Sequence, residues 1–125
     1  MMPYEQAVTM RVKTIVVIDD EADLVDLTVM LLEAAGHRVV GSTDSFQAVG
    51  LVIREGAEIV VLDFEMPGMD GGDVAKALRA EPRTQGIRIV FLSGTAEAEI
   101  RRSCTQYDAF LRKPATSKAL FAAVA

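Results

Sequence analysis

Short apolar runs recur along the chain and are separated by longer segments of mixed polarity. The runs occupy residues 13–18, 38–41, 58–62, 87–92 and 109–112. A short run that is apolar without interruption is typical of a strand buried on both faces of a parallel sheet. The pattern therefore predicts five strands of one parallel sheet.

In the segments after these runs, apolar residues repeat at intervals of three and four, which predicts five amphipathic helices. The residues expected to cap their N-termini are, in chain order, Asp20, Asp44, Asp70, Thr95, and Thr116 or Ser117. The first helix, residues 21–35, is expected to bury Leu24, Leu27, Thr28, Leu31 and Ala35. The second is expected to bury Phe46 and to end at Gly56.

The fourth helix has the weakest apolar pattern of the five. Only Ala96, Ile100 and Cys104 form its stripe, so this segment is expected to be the most mobile. Strands that alternate with helices nevertheless indicate one architecture for the whole chain. The prediction is an α/β fold, a doubly wound five-stranded parallel sheet with five helices on its two faces.

Composition places the chain among single globular domains. It has 125 residues, half of them apolar and a quarter charged, and this length leaves room for one core. No apolar run approaches the ~18 residues of a membrane helix, and the N-terminus lacks the pattern of a signal peptide. The single cysteine, Cys104, cannot form an internal disulfide, so a cytoplasmic location with no membrane contact is expected.

Charge is distributed unevenly along the chain. The net charge of −5 disfavours nonspecific binding to nucleic acid, and we expect no nucleic-acid partner. Residues 1–81 carry 6 basic and 15 acidic side chains, whereas residues 82–125 carry 7 and 3. The C-terminal third is therefore basic, which is compatible with an acidic partner or with an ordinary solvated surface.

Polar residues follow four of the five predicted strands. Asp19 and Asp20 follow the first strand, Asp63 the third, Ser93 the fourth and Lys113 the fifth. The carboxyl ends of parallel strands lie at one edge of a sheet, where α/β proteins bind their ligands. These five residues are therefore expected to converge, although Asp63 alone could simply open the turn at Met66-Pro67-Gly68.

Three converging carboxylates need a cation. Two carboxylates ~5 Å apart repel by about 3 kcal/mol at an effective dielectric constant of ~20. An all-oxygen ligand set with no histidine or cysteine favours Mg²⁺. Together with a hydroxyl and a lysine, the set is suited to phosphoryl transfer, with Asp63 as the nucleophile that forms an acyl phosphate.

Four segments of the chain resemble the receiver domain of two-component response regulators. They are Val17-Ile18-Asp19-Asp20-Glu21, Leu62-Asp63 through Asp70-Gly71, Leu92-Ser93-Gly94, and Phe110-Leu111-Arg112-Lys113-Pro114. The resemblance implies a flavodoxin-like three-layer sandwich with strand order 2-1-3-4-5. It also implies a receiver domain at residues 12–125, preceded by an N-terminal extension at residues 1–11.

The same resemblance implies a role for each matching residue. Asp63 would accept a phosphoryl group from a sensor histidine kinase or a phosphotransfer protein. Mg²⁺ would be held directly by Asp20, Asp63 and the Glu65 carbonyl, and by Asp19 through water. Lys113, Ser93 and the Gly94 amide would hold the phosphoryl oxygens. Ser93 and Phe110 would form the switch, and the domain would turn over no outside substrate.

The chain departs from the receiver pattern on its expected output face, formed by helix 4, strand 5 and helix 5. Gln106-Tyr107 stands where glycine is common, and Ala115 stands where an aromatic residue is common. Four basic residues, Arg101, Arg102, Arg112 and Lys118, fall on the same face. We therefore expect this face to bind an output protein or a second copy of the chain.

Two other functions fit parts of the pattern. The chain could be a receiver-like interaction module that works without phosphorylation, although such a module need not keep Asp19, Asp63 and Lys113. It could also be a Mg²⁺-dependent aspartyl phosphohydrolase, in which Glu65 would be the general acid two residues after the nucleophile.

Overall fold

The computed structural model describes residues 11–125, in which five parallel strands form one sheet. The strands are β1 (Thr14–Ile18), β2 (Arg38–Ser42), β3 (Ile59–Leu62), β4 (Arg88–Ser93) and β5 (Ala109–Arg112). Their order is β2-β1-β3-β4-β5, and every neighbouring pair is parallel. The predicted sheet and its order are confirmed. The expected extension falls mostly on residues 1–10, outside the described residues.

Five helices cover the two faces of this sheet. They are α1 (Ala22–Ala34), α2 (Ala48–Glu55), α3 (Gly71–Ala80), α4 (Glu97–Ile100) and α5 (Ser117–Val124). A 3₁₀ turn at Ser45–Gln47 precedes α2. None of the helices within residues 11–125 is long and apolar enough to cross a membrane.

Two hydrophobic cores lie on opposite faces of the sheet, because successive strand residues point in opposite directions. Val16, Val60 and Phe91 face one core, which α2, α3 and Ile100 of α4 complete. Ile15, Val61 and Val90 face the other, which α1 and α5 complete. The predicted three-layer sandwich is confirmed, and the carboxyl ends of the strands are left at one open edge.

Several local predictions about helix starts and buried faces were wrong. The N-cap of α1 is Glu21 and not Asp20, and α4 follows Ala96 and not Thr95. In neither helix does a side chain of the described residues cap the first turn. In both cases the residue predicted as the cap lies instead in the loop between the preceding strand and the helix.

The buried face of α1 is also displaced from the predicted one. Val25, Thr28 and Leu32 are buried, whereas Leu27 is 51% exposed. Phe46 is 69% exposed because the Asp44 carboxylate accepts a hydrogen bond from the Phe46 amide and starts a 3₁₀ turn, in which Ser45 is the buried residue. Leu27 and Phe46 are thus surface residues.

Other predicted helix ends are confirmed. Asp70 caps α3 and forms a capping box with Asp73, in which each side chain accepts a hydrogen bond from the other's backbone amide. Thr116 caps α5 by accepting a hydrogen bond from the Ala119 amide. Gly56 ends α2 in the left-handed conformation that favours glycine.

Candidate functional site

Three carboxylates meet at the carboxyl edge of the sheet. Asp19 and Asp20 follow β1, and Asp63 follows β3, its direct neighbour in the sheet. One carboxylate oxygen from each residue lies within 4.8 Å of the other two. Asp19 and Asp63 are buried and Asp20 is exposed, so the group opens toward solvent on one side.

Lys113 brings the opposite charge to this group. Its Nζ atom donates a hydrogen bond of 2.7 Å to Asp19 Oδ2 and lies 3.6 Å from Asp63 Oδ1. The Lys113 amide donates to the Ser93 carbonyl at 2.9 Å, which fixes the end of β5 beside the end of β4. The Lys113–Pro114 peptide bond that follows is cis.

Ser93 lies at the end of β4 and is fully buried. Its hydroxyl accepts a hydrogen bond from the Thr95 amide at 3.1 Å. Gly94 is exposed, and a Cβ atom built on it would meet no other atom of residues 11–125 within 4 Å. The Gly94 backbone is therefore open to an approaching group.

The loop after Asp63 forms another wall of the site. The Asp63 carboxylate accepts a hydrogen bond from the Phe64 amide at 2.8 Å, which orients it. Glu65 is exposed, and it lines a shallow cavity of about 450 Å³ together with Phe64, Met66, Pro67 and Asp70. Glu65 is therefore open to solvent two residues after Asp63.

Gly71 permits the close approach of α3 to this loop. A Cβ atom at Gly71 would lie 2.3 Å from the Asp63 carbonyl oxygen and 2.8 Å from both Phe64 Cα and the Phe91 ring. The Gly71 amide donates to the Phe64 carbonyl at 2.7 Å. This requirement at Gly71 was not predicted from the sequence.

The charges of the site are unbalanced, because three carboxylates face one ammonium group. Burial raises the pKa of Asp63, and the neighbouring Asp19 charge raises it further, against the lowering effects of Lys113, Ser93 and the Phe64 amide. Burial alone would lower the pKa of Lys113, but its hydrogen bond to Asp19 and the charge of Asp63 raise it above its usual range.

The excess of negative charge and the all-oxygen donor set fit a hard divalent cation. Carboxylates that would otherwise repel each other across less than 5 Å are stabilised by such an ion. The predicted ligands Asp19, Asp20 and Asp63 are thus grouped as a magnesium site requires.

Phe110 lies on β5, half-buried against the core that α2, α3 and α4 cover. The predicted basic residues Arg101, Arg102, Arg112 and Lys118 are all exposed. The contacts that Tyr107 makes beside them were not predicted from the sequence. Its hydroxyl contacts both Glu97 and Arg101 of the α4 region, and this was signalled only by the departure from glycine before β5.

Comparison with known proteins identifies the family. Residues 15–125 match the family model of the response regulator receiver domain. The chain therefore belongs to the receiver domains, which are regulatory domains of two-component signalling.

Individual relatives and a solved structure agree with this family. The chain is 27% identical over 112 residues to the phosphate regulon transcriptional regulatory protein PhoB of Pseudomonas aeruginosa, covering 88% of this chain and 49% of PhoB. It is 34% identical over 115 residues to the sensor protein GacS of Pseudomonas syringae, covering 88% of this chain and 13% of GacS. The chain thus spans half or less of the length of these relatives.

A crystal structure of the receiver domain of the sensor histidine kinase PA1611 of Pseudomonas aeruginosa has the same fold. It superimposes with a TM-score of 0.79 at 24% identity, covering 88% of this chain and 92% of that one. That structure has a magnesium ion coordinated in its active-site cleft.

Proposed function

We propose that this chain is a phosphorylation-controlled switch, in which Asp63 accepts a phosphoryl group from the phosphohistidine of a histidine kinase or phosphotransfer protein. The observation that carries the proposal is the position of Asp63. Its carboxylate is buried, grouped with two other carboxylates, and 3.6 Å from the ammonium group of Lys113.

The residues that would hold Mg²⁺ are Asp20 and Asp63 directly, the Glu65 carbonyl, and Asp19 through water. When bound, the ion would neutralise negative charge on the carboxylates and on the incoming phosphoryl group. The magnesium ion in the active-site cleft of the PA1611 receiver domain supports Mg²⁺ as the ion bound by this site.

In the transfer step, a carboxylate oxygen of Asp63 attacks phosphorus. The new P–O bond forms an acyl phosphate, the P–N bond to the donor imidazole breaks, and its electron pair remains on that nitrogen. Asp63 must be ionised to attack, and the nearby Lys113 charge favours the ionised form. Lys113, the Ser93 hydroxyl and the Gly94 amide would then hold the phosphoryl oxygens.

Phosphorylation would act on the surface through Ser93 and Phe110. A phosphoryl group forms one to three charge-assisted hydrogen bonds, each worth ~1.5–3 kcal/mol. That sum approaches the ~5.5 kcal/mol that reverses an equilibrium from 1:99 to 99:1. Ser93 drawn toward the phosphoryl group would leave space for Phe110 to turn inward, which would alter the face formed by α4, β5 and α5.

The altered face is the proposed docking surface for an output protein or a second copy of the chain. Arg101, Arg102, Arg112 and Lys118 are exposed there and would favour an acidic partner.

An NMR titration with Mg²⁺ and then beryllofluoride, a phosphoryl mimic, tests the proposal. We expect Mg²⁺ to shift amides at residues 19–20 and 63–65, and beryllofluoride to shift those at 93–95 and 109–113. Asp63→Asn should abolish the second response. Asp23→Asn, an exposed acid on α1, is the matched control and should respond like the wild type. A wild-type chain that responds to neither addition would contradict the proposal.

A further inference from the structure

Tyr107 connects the segment before β5 to the α4 region. Its hydroxyl donates a hydrogen bond of 2.6 Å to Glu97 Oε2 and accepts one of 2.9 Å from Arg101 Nε. Arg101 also lies 3.4 Å from Glu97 Oε2, so the three side chains contact one another. We call Tyr107, Glu97 and Arg101 the tyrosine triad.

The helix that the triad holds cannot be stable by itself. The α-helical part of α4 is only the four residues Glu97–Ile100, whereas isolated helices shorter than ~12 residues are marginal in water. Tertiary contacts must therefore fix its position. Ile100 and Cys104 supply apolar contacts to the core, and the tyrosine triad supplies the polar contact from outside.

Glu97 of the triad is close along the chain to Ser93, which is one of the proposed phosphoryl-binding residues. Only residues 94–96 separate Ser93 from α4, and the Thr95 amide donates a hydrogen bond to the Ser93 hydroxyl. The Thr95 hydroxyl is buried without a hydrogen-bond partner among residues 11–125, so this loop is incompletely satisfied in the present arrangement. A displacement of Ser93 would therefore be passed directly to Glu97.

The ring of Tyr107 is also connected to the residue after Asp63 by aromatic contacts within the core. It packs edge to face on Phe91 at 5.2 Å, and Phe91 packs in the same way on Phe64 at 5.9 Å. Phe64 is the residue after Asp63. Phe110, the expected aromatic switch residue, has no hydroxyl, so Tyr107 supplies a polar contact to α4 that Phe110 cannot make.

We propose that Tyr107 is a positioning residue of the switch, and that its hydroxyl holds α4 and the loop of residues 94–96 in the arrangement adopted before phosphorylation. This inference rests on the proposed function of Asp63. When Ser93 moves toward a phosphoryl group, α4 moves with the loop and the Tyr107 hydroxyl loses its contacts with Glu97 and Arg101.

Thermodynamic linkage between the triad and ligand binding at Asp63 predicts whether the affinity rises or falls. If ligand binding at Asp63 breaks the triad, removing the triad beforehand must strengthen that binding. Tyr107→Phe keeps the ring on Phe91 and removes the hydroxyl, and Glu97→Ala removes the acceptor. Both variants should bind beryllofluoride in the presence of Mg²⁺ about 5- to 10-fold more tightly.

The experiment uses the full chain with Tyr4→Phe, which leaves Tyr107 as the only tyrosine. Tyrosine labelled with ¹³C at Cζ reports whether the hydroxyl is hydrogen-bonded. We expect this resonance to shift when beryllofluoride binds and the affinities of the two triad variants to rise. Glu99→Ala, which removes an exposed acid from the same helix, is the matched control and should leave the affinity unchanged.

Two results would overturn the inference in distinguishable ways. If beryllofluoride binds but the Cζ resonance does not shift, or if Tyr107→Phe and Glu97→Ala bind it no more tightly than the parent, the role of Tyr107 is wrong while the proposed function stands. If the parent chain does not bind beryllofluoride at all, the proposed function fails and this inference fails with it.

Discussion

Lys113 lies closer to Asp19 than to Asp63: its Nζ atom is 2.7 Å from Asp19 Oδ2 and 3.6 Å from Asp63 Oδ1. The lysine is thus anchored on one carboxylate and only adjacent to the proposed phosphoacceptor. A short rotation of its side chain would bring Nζ to a group bound on Asp63. Lys113 is therefore expected to have two distinct roles. Its charge acts on the metal site, and its ammonium group contacts the phosphoryl group.

Replacing Lys113 with alanine should strengthen Mg²⁺ binding but slow phosphorylation. The loss of a positive charge beside the carboxylates should tighten Mg²⁺ binding by about fivefold or more, because it would remove about 1 kcal/mol or more of repulsion between the Lys113 ammonium group and a divalent cation. Phosphorylation by a small phosphodonor should slow by at least about tenfold, as expected for the loss of an electrostatic contact to the transferred group.

Lys118→Ala is the matched control for Lys113→Ala, since it removes an exposed lysine from α5. Isothermal titration with Mg²⁺ and the initial rate of phosphorylation are the two measurements. Unchanged Mg²⁺ affinity in Lys113→Ala would show that the lysine does not act on the metal site through its charge.

The raised pKa of Asp63 predicts a pH-dependent effect of Asp63→Asn on stability. Burial raises this pKa in the folded chain, so the folded state binds more protons than the unfolded state above the unfolded value of about 4. The stability of the wild type therefore falls as pH rises through this window. Asp63→Asn should be more stable than the wild type at pH 7, since it removes the cost of burying the Asp63 charge and of holding it beside Asp19.

This gain should disappear when the pH falls below about 4, where Asp63 is protonated in both folded and unfolded chains. Urea unfolding at pH 7 and pH 3.5 measures it. Saturating Mg²⁺ should stabilise the wild type by ~2.7 kcal/mol at 100 times its Kd and the variant much less. Equal stability of both chains at pH 7 without Mg²⁺ would contradict a raised pKa of Asp63 in the folded chain.

Substitution by alanine should have opposite effects on the stability of the fold at Gly71 and at Gly50. Both lie in helices, where alanine is ordinarily favoured over glycine by about 0.5–1 kcal/mol. At Gly71 the new Cβ would collide with backbone atoms of Asp63 and Phe64, so Gly71→Ala should destabilise by about 2–4 kcal/mol. At Gly50 it would meet no atom of the described residues within 4 Å, so Gly50→Ala should stabilise.

Thermal and urea unfolding of these two glycine variants check the prediction. Because Gly71 packs on the carbonyl of the proposed phosphoacceptor, Gly71→Ala should also weaken Mg²⁺ binding, whereas Gly50→Ala should leave it unchanged. A Gly71→Ala chain as stable as the wild type would mean that the loop at Asp63 can move aside at little cost.

Most of this fold could be predicted from sequence because buried parallel strands have an unambiguous pattern. Each strand is apolar on both faces, and each ends where the chain leaves the core, so Asp19, Asp63, Ser93 and Lys113 could be placed at one edge. The strand order came from resemblance, since local patterns carry no information on which strands are neighbours.

What could not be predicted depends on contacts between distant parts of the chain. Leu27 was placed in the core because α1 is apolar on more than one side, and only packing selects Val25 and Leu32 instead. The hydrogen bonds of Tyr107 with Glu97 and Arg101 require a known loop conformation. The close approach at Gly71 likewise depends on how α3 meets β3 and β4, which no periodicity reveals.

Phosphorylation of Asp63 can be measured as the mass of the chain after incubation with Mg²⁺ and a small phosphodonor such as acetyl phosphate. We expect the gain of one phosphoryl group, located at Asp63 by peptide mapping under acidic conditions and absent from Asp63→Asn. The gain should be unchanged in Asp26→Asn, which removes an exposed acid from α1. No adduct in the wild type with any phosphodonor, or an adduct at another residue, would show that Asp63 is not the phosphoacceptor.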